Sequence, residues 1–168
     1  MEIEKKKGFY KMEVILEQAI QLAKTLHEGQ VDKSGKPYIE HPLRVMSFVE
    51  SIDCKILAVL HDVLEDCDVT PEELVAAGIP TELVEVLTLL TKRKGERYFD
   101  YIERASRDER TRLVKLADLK DNMDLTRLYP TIDTSRLEDE SYLSKTLSEK
   151  DLTRYRKYQK AVLMLKGC

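Results

Sequence analysis

Residues 57–68 read LAVLHDVLEDCD: aliphatic side chains interrupted by His61-Asp62 and closed by Glu65-Asp66. Four ionisable groups within six residues of so apolar a segment are expensive to bury unless something compensates them, and a bound cation would. Taken alone, His61-Asp62 reads equally well as a helix-end pair hydrogen-bonded to backbone.

On either side of this stretch the apolar spacing is helical. Asp53 suits the cap of the helix that carries Ile56, Leu57, Leu60, Val63 and Leu64. Before it, Pro42 suits the first turn of a helix with Val45, Met46, Val49 and Ile52. Lys33-Ser34-Gly35-Lys36-Pro37 is a polar turn, and Ile15, Ala19, Leu22 and Leu26 form one stripe of a first amphipathic helix. After it, Thr70-Pro71-Glu72-Glu73 combines a capping box with proline at the first helical position, and Gly78 stops that helix. Further helices are predicted from Thr81 to near Thr91 and from about Arg97 to Arg107. Another starts near Asp108, with Leu113, Val114, Leu116, Ala117 and later Leu128. Ser135 and Ser148 each look like helix starts, and the last helix carries Leu152, Tyr155, Val162 and Leu165 before Gly167. Period-2 alternation never persists. The expectation is one all-α domain over 1–168, a bundle of about seven to nine helices, with a motif-bearing core at 15–128 and C-terminal helices at 135–166.

The composition narrows the class. The 28 basic and 31 acidic residues give a net charge of −3, which argues against a nucleic-acid binder. No run of about 18 apolar residues exists to span a membrane, and the N-terminus MEIEKKKGFYKMEV lacks the apolar core of a secretory signal. Cys54, Cys67 and Cys168 match neither a disulfide framework nor a zinc pattern, so a reducing, cytoplasmic setting is expected. The sequence has three histidines, and His27 among them reads as a helix-end polar residue.

Two further places carry chemistry. His41 stands in PYIEHPLRV at the mouth of the second helix. Asp118 and Asn122 stand in LVKLADLKDNMDL, four apart and so on one helix face. Asp118 beside Lys115 also reads as a surface pair. Side chains from three separate helices can meet around one divalent ion inside a bundle. Lys92-Arg93-Lys94 reads as a solvated turn, or as a run that recruits phosphate. Tyr142, Tyr155 and Tyr158 read as core or interface.

This ordered set resembles the HD superfamily of metal-dependent phosphohydrolases, and within it the hydrolase domain of RelA/SpoT-type alarmone enzymes and small alarmone hydrolases. His27–Pro42 resembles the first-histidine loop, Ala58–Asp66 the HD block with its Glu-Asp pair, and Asp108–Met123 the closing Asp-x-x-x-Asn helix. The resemblance implies His41, His61, Asp62 and Asp118 as ligands of one divalent metal, typically Mn2+. It implies Glu65 and Asp66 as the pair that orients or deprotonates the attacking water. It implies Asn122 as a contact to the nucleotide sugar or phosphate, and Lys33 and Arg44 are expected as further, basic substrate contacts. The reaction implied is removal of the 3′-pyrophosphate from (p)ppGpp, giving GDP or GTP and pyrophosphate, with a small nucleotide as substrate and neither nucleic acid nor membrane as partner. A chain of 168 residues is expected to hold the hydrolase and not a synthetase.

Departures from the family pattern fall where the nucleotide is expected. Asp32 replaces an arginine that packs on guanine, Leu125 replaces a threonine, and Asp121 and Asp124 replace basic or aromatic residues. They leave open an HD phosphohydrolase acting on another nucleotide, or a sensor that binds nucleotide without turnover.

Overall fold

The computed structural model describes residues 2–167, so Cys168 lies outside the described residues. The helices are α1 (Glu2–Leu26), α2 (Glu40–Ser47), α3 (Ile52–Leu60), α4 (Val63–Asp66), α5 (Pro71–Ala76), α6 (Thr81–Leu90), α7 (Tyr98–Ala105), α8 (Glu109–Asn122), α9 (Glu140–Thr146) and α10 (Glu149–Lys166). Short 3-10 turns occupy Leu125–Arg127 and Thr134–Arg136. The fold is all-α, as expected: ten α-helical segments among the described residues, or nine when α3 and α4 are taken as one interrupted helix. None of them is long and apolar enough to cross a membrane.

α3 is the axis of the bundle. Its residues Ile56, Leu57, Ala58, Val59 and Leu60 are all buried, because α1, α2, α6 and α8 pack around it. A helix apolar on every side is stable only in such a position. A second cluster joins Tyr101, Ile102 and Ala105 of α7 to Leu119 of α8 and to Ala161 and Leu165 of α10. A third, with Leu125, Leu143, Leu147, Leu152 and Tyr155, anchors the C-terminal helices.

Local chemistry sets the helix ends. The Thr70–Glu73 capping box forms with Pro71 in the first turn, and Gly78 follows α5 at φ +97°, where a side chain would be strained. Asp108 caps α8 through the Arg110 and Thr111 amides, and Ser148 caps α10. Four expectations are corrected. Ser51, not Asp53, caps α3, because its extended backbone lets Oγ accept from the Cys54 amide. α8 stops at Asn122, so Leu128 lies beyond it, and Leu113 is exposed. Ser135 sits in a 3-10 turn capped by Asp133, and Asp139 caps the helix that follows. Finally, the apolar helix does not run through His61-Asp62: His61 ends α3 and Asp62 starts α4.

Because Ile56 is 0% exposed on the central helix, Ile56→Ala should cost about 2–5 kcal/mol. Thr70→Ala should cost only about 1 kcal/mol, the usual worth of a cap. Urea unfolding with unchanged m-values checks both figures, and equal losses would contradict this placement of the core.

Candidate metal centre

Three pieces of chain converge at one end of the bundle: the start of α2, the α3–α4 break, and the C-terminal half of α8. The break is the sharpest of the three. Ending α3 at Leu60 turns the His61 ring so that its Nδ1 donates to the carbonyl of Ala58 at 2.7 Å. In the neutral ring that leaves Nε2 as a bare lone pair, fully buried and without a hydrogen-bond partner. It faces Asp62 Oδ2 at 3.0 Å and Asp118 Oδ1 at 3.6 Å. His41 is arranged in the same way, with Nδ1 on Asp121 Oδ2 at 2.7 Å. Its Nε2 lies 3.2 Å from Asp118 Oδ1 and 3.6 Å from Asp62 Oδ2.

Ligand atoms of His41, His61 and Asp62 all lie within 4.8 Å of one another, and Asp118 Oδ1 closes the group from α8. Lone pairs pointed at lone pairs repel unless a cation sits among them. The two imidazoles and two carboxylates therefore fit a divalent ion, with the remaining coordination positions left to water and substrate.

The protonation tendencies reflect the same field. Burial opposes charge on His61, but the Asp62 and Asp118 carboxylates that face its Nε2 hold its pKa well above the ordinary range. His41 is raised likewise, against burial, by Asp118 and Asp121. Asp118 is held well below the carboxylate range: burial opposes this, and Lys115 and the two histidines overcome it. Lys115 Nζ lies 2.7 Å from Asp118 Oδ2, with both side chains largely buried. The pair is thus internal rather than on the surface, and it turns Oδ1 toward the histidines. Asn122 donates to that same Oδ1.

Tyr38 closes the near side. Its hydroxyl donates to Asp62 Oδ2 at 2.6 Å and lies 3.3 Å from Asp66 Oδ2. Burial and the Asp62 charge push its pKa far up, so the phenol keeps its proton. Glu65 accepts from the backbone amide of Lys92, which ties α4 to the turn after α6. Burial raises the carboxyls of both Glu65 and Asp66, the right direction for a general base. His27 holds Gln30 at 2.8 Å, and the Gln30 amide donates to the Asp66 carbonyl.

A cleft of about 450 Å³ opens over His41, Asp62 and Asp118, with Lys33, Arg127, Arg154, Tyr98, Tyr158 and Asn122 also on its walls. Arg44 does not line the cleft: its Nε is on Asp121 Oδ1 at 2.7 Å. Glu65 and Asp66 flank the cleft without forming its wall. Tyr158 is a cleft residue rather than a purely packing one.

Asp32 lines the cleft, with one carboxylate oxygen engaged within its own turn. Its Oδ1 accepts from the Ser34 amide at 2.8 Å, the Ser34 hydroxyl at 2.7 Å and the Lys36 amide at 3.0 Å, stabilising the turn that Gly35 completes at φ +80°. Asp124 caps its own 3-10 turn through Thr126. The sequence reading missed Tyr38 and Arg154, took Asp121 as a departure at the nucleotide pocket and took Tyr158 as core or interface. Tyr38 and Asp121 lie inside the motifs themselves, whereas only folding brings α10 to the cleft.

The sequence model of the HD domain family matches residues 19–142. The chain belongs to the HD domain family. This HD chain is 38% identical over 122 residues to a guanosine-3′,5′-bis(diphosphate) 3′-pyrophosphohydrolase of Vibrio cholerae, covering 64% of the chain and 17% of that protein. It is 36% identical over 123 residues to the bifunctional (p)ppGpp synthase/hydrolase SpoT of Escherichia coli, again covering 64% and 17%. It thus spans about a sixth of the length of the curated relatives it matches. A solved structure of a metazoan ortholog of SpoT, which hydrolyzes ppGpp, superposes on the HD chain with a TM-score of 0.66. That superposition has 22% identity and covers 89% of this chain and 84% of the other. The likeness supports the fold. Membership of the family implies a divalent-metal site.

Lys115→Met should leave Asp118 as a buried carboxylate with only the histidines to balance it. A loss of roughly 3 kcal/mol is expected, the lower end for a broken buried pair. Unchanged unfolding of the metal-free protein would show that the pair is not internal.

Proposed function

We propose that the chain is a metal-dependent hydrolase that removes the 3′-pyrophosphate of (p)ppGpp, yielding GDP or GTP and pyrophosphate. The observation that carries this reading is the convergence of His41, His61, Asp62 and Asp118 beneath a cleft walled by Lys33, Arg127 and Arg154. The alarmone hydrolases among its relatives supply the substrate class.

In this reading His41, His61, Asp62 and Asp118 hold one divalent ion; the borderline-hard donor set suits Mn2+, Fe2+ or Zn2+, and the family resemblance points to Mn2+. Such an ion, when bound, supplies Lewis-acid stabilisation of phosphoryl charge and acidifies water. Glu65 and Asp66, with carboxyls raised by burial, orient the attacking water and accept its proton as its oxygen bonds to phosphorus and the bond to the ribose 3′ oxygen breaks, and the pair returns a proton to that departing oxygen. Tyr38 keeps Asp62 and Asp66 at fixed separation. Lys33, Arg127 and Arg154 bind the phosphates, Asn122 hydrogen-bonds the sugar or phosphate, and Tyr98 and Tyr158 offer apolar faces to the base. Leu125 offers no hydroxyl, so sugar recognition falls to Asn122. The free thiols of Cys54 and Cys67 suit a reducing cytoplasm.

Purified protein with Mn2+ should release pyrophosphate from ppGpp and pppGpp, read by chromatography, and Asp62→Ala should lower the rate by more than about a hundredfold. Turnover of NADPH or another nucleotide alone would replace the substrate. Binding without turnover would make the chain a sensor.

Proton competition gives a second expectation. Both histidine pKa values are raised above 6.5 in the metal-free protein, so each ring keeps its proton to higher pH and the ion must displace it. Affinity for Mn2+ should therefore rise with pH through the neutral range, with protons released on binding. Calorimetry in buffers of different ionisation enthalpy checks this, and pH-independent affinity would contradict the ligand set.

A further inference from the structure

Asp121 lies outside the four-residue ligand set, yet it is 2% exposed and donors surround its carboxylate. Oδ2 takes His41 Nδ1 at 2.7 Å and Arg127 Nη1 at 3.0 Å. Oδ1 takes Arg44 Nε at 2.7 Å, and Arg44 Nη2 reaches Oδ2 at 3.2 Å. A carboxylate buried this deeply needs such compensation.

The arrangement around His41 is specific. Asp118 and Asp121 are one helical turn apart on α8, and they meet the two nitrogens of one imidazole: Asp118 Oδ1 at Nε2 and Asp121 Oδ2 at Nδ1. His61 is held by a different acceptor, since its Nδ1 donates to the neutral carbonyl of Ala58. A charged acceptor orients and polarises an imidazole more strongly than a carbonyl does.

We propose that Asp121 is a positioning residue for the metal centre: by accepting the Nδ1–H of His41 it fixes the ring in the tautomer that presents the Nε2 lone pair to Asp62 and Asp118. Arg44 and Arg127 donate to this carboxylate and offset its negative charge in the interior. Arg127 also lines the cleft, so one carboxylate sets both a metal-facing ring and a wall of the substrate pocket. An aspartate at this position, which departs from the family pattern, thereby has a structural task away from the nucleotide. The inference rests on the metal-site reading above and is independent of which nucleotide is hydrolysed.

The test uses Asp121→Asn, which keeps the volume but turns an NH2 group toward either the imidazole or a guanidinium. Zn2+ serves as a diamagnetic probe. In zinc-loaded wild-type protein, long-range 15N-edited spectra of the histidine rings should show the His41 proton on Nδ1, shifted downfield by the carboxylate. In Asp121→Asn that proton should move upfield while the His61 signals hold, and Zn2+ and Mn2+ should bind about 10–100-fold more weakly by calorimetry. A purely structural role would disturb both histidines together.

The proposal is overturned if wild-type His41 carries its proton on Nε2, a result that does not require the variant to fold. It is also overturned if folded Asp121→Asn binds both ions within about twofold of wild type. None of these readouts uses nucleotide. Failure to hydrolyse ppGpp would therefore overturn the proposed function alone, whereas wild-type protein that binds no divalent ion would overturn both.

Discussion

Electrostatic crowding governs this structure. Three helices bring two imidazole lone pairs and two carboxylates to one point in the interior, and like charges about 4 Å apart repel by about 4 kcal/mol even at an effective dielectric of 20. Protons on the histidines or a cation among the four groups must offset that repulsion. Much of the architecture around the point serves the same balance: α3 breaks at His61, Lys115 neutralises the far oxygen of Asp118, and Tyr38 donates to Asp62. The apolar α3 supplies the rigid interior against which these groups are held.

The sequence reading captured the parts of this arrangement that repeat locally. Helical periodicity predicted the all-α bundle, and residue types at fixed spacing predicted Thr70, Asp108 and Ser148 as caps. The ordered His41, His61-Asp62 and Asp118 pattern pointed to side chains that do converge. It failed where tertiary geometry decides. His61-Asp62 looked like the middle of an apolar helix, because an interruption that keeps both flanks apolar leaves no mark in the periodicity. Ser51 took the cap expected of Asp53 because the choice depends on where the chain becomes extended. Arg154 and Tyr158 stand far along the chain from every motif, and only the packing of α10 against α7 and α8 brings them to the cleft.

The three acidic departures illustrate the same point. Read as charges in a nucleotide pocket, Asp32, Asp121 and Asp124 look hostile to a polyanionic ligand. In the folded chain Asp32 and Asp124 are hydrogen-bonded within their own turns, and Asp121 is buried between two arginines and His41. A carboxylate engaged by amides or guanidiniums presents less field to the cleft than its formal charge suggests. The cleft wall thus carries Asp32 and Asp124 beside Lys33, Arg127 and Arg154, with Arg127 paired to Asp121 and Arg154 to Asp151.

Anomalous diffraction from a crystal of the full chain soaked in Mn2+ tests the central claim most directly. One strong peak in contact with His41, His61, Asp62 and Asp118 together is expected. A peak bound elsewhere, or no peak from protein that hydrolyses ppGpp, would contradict it.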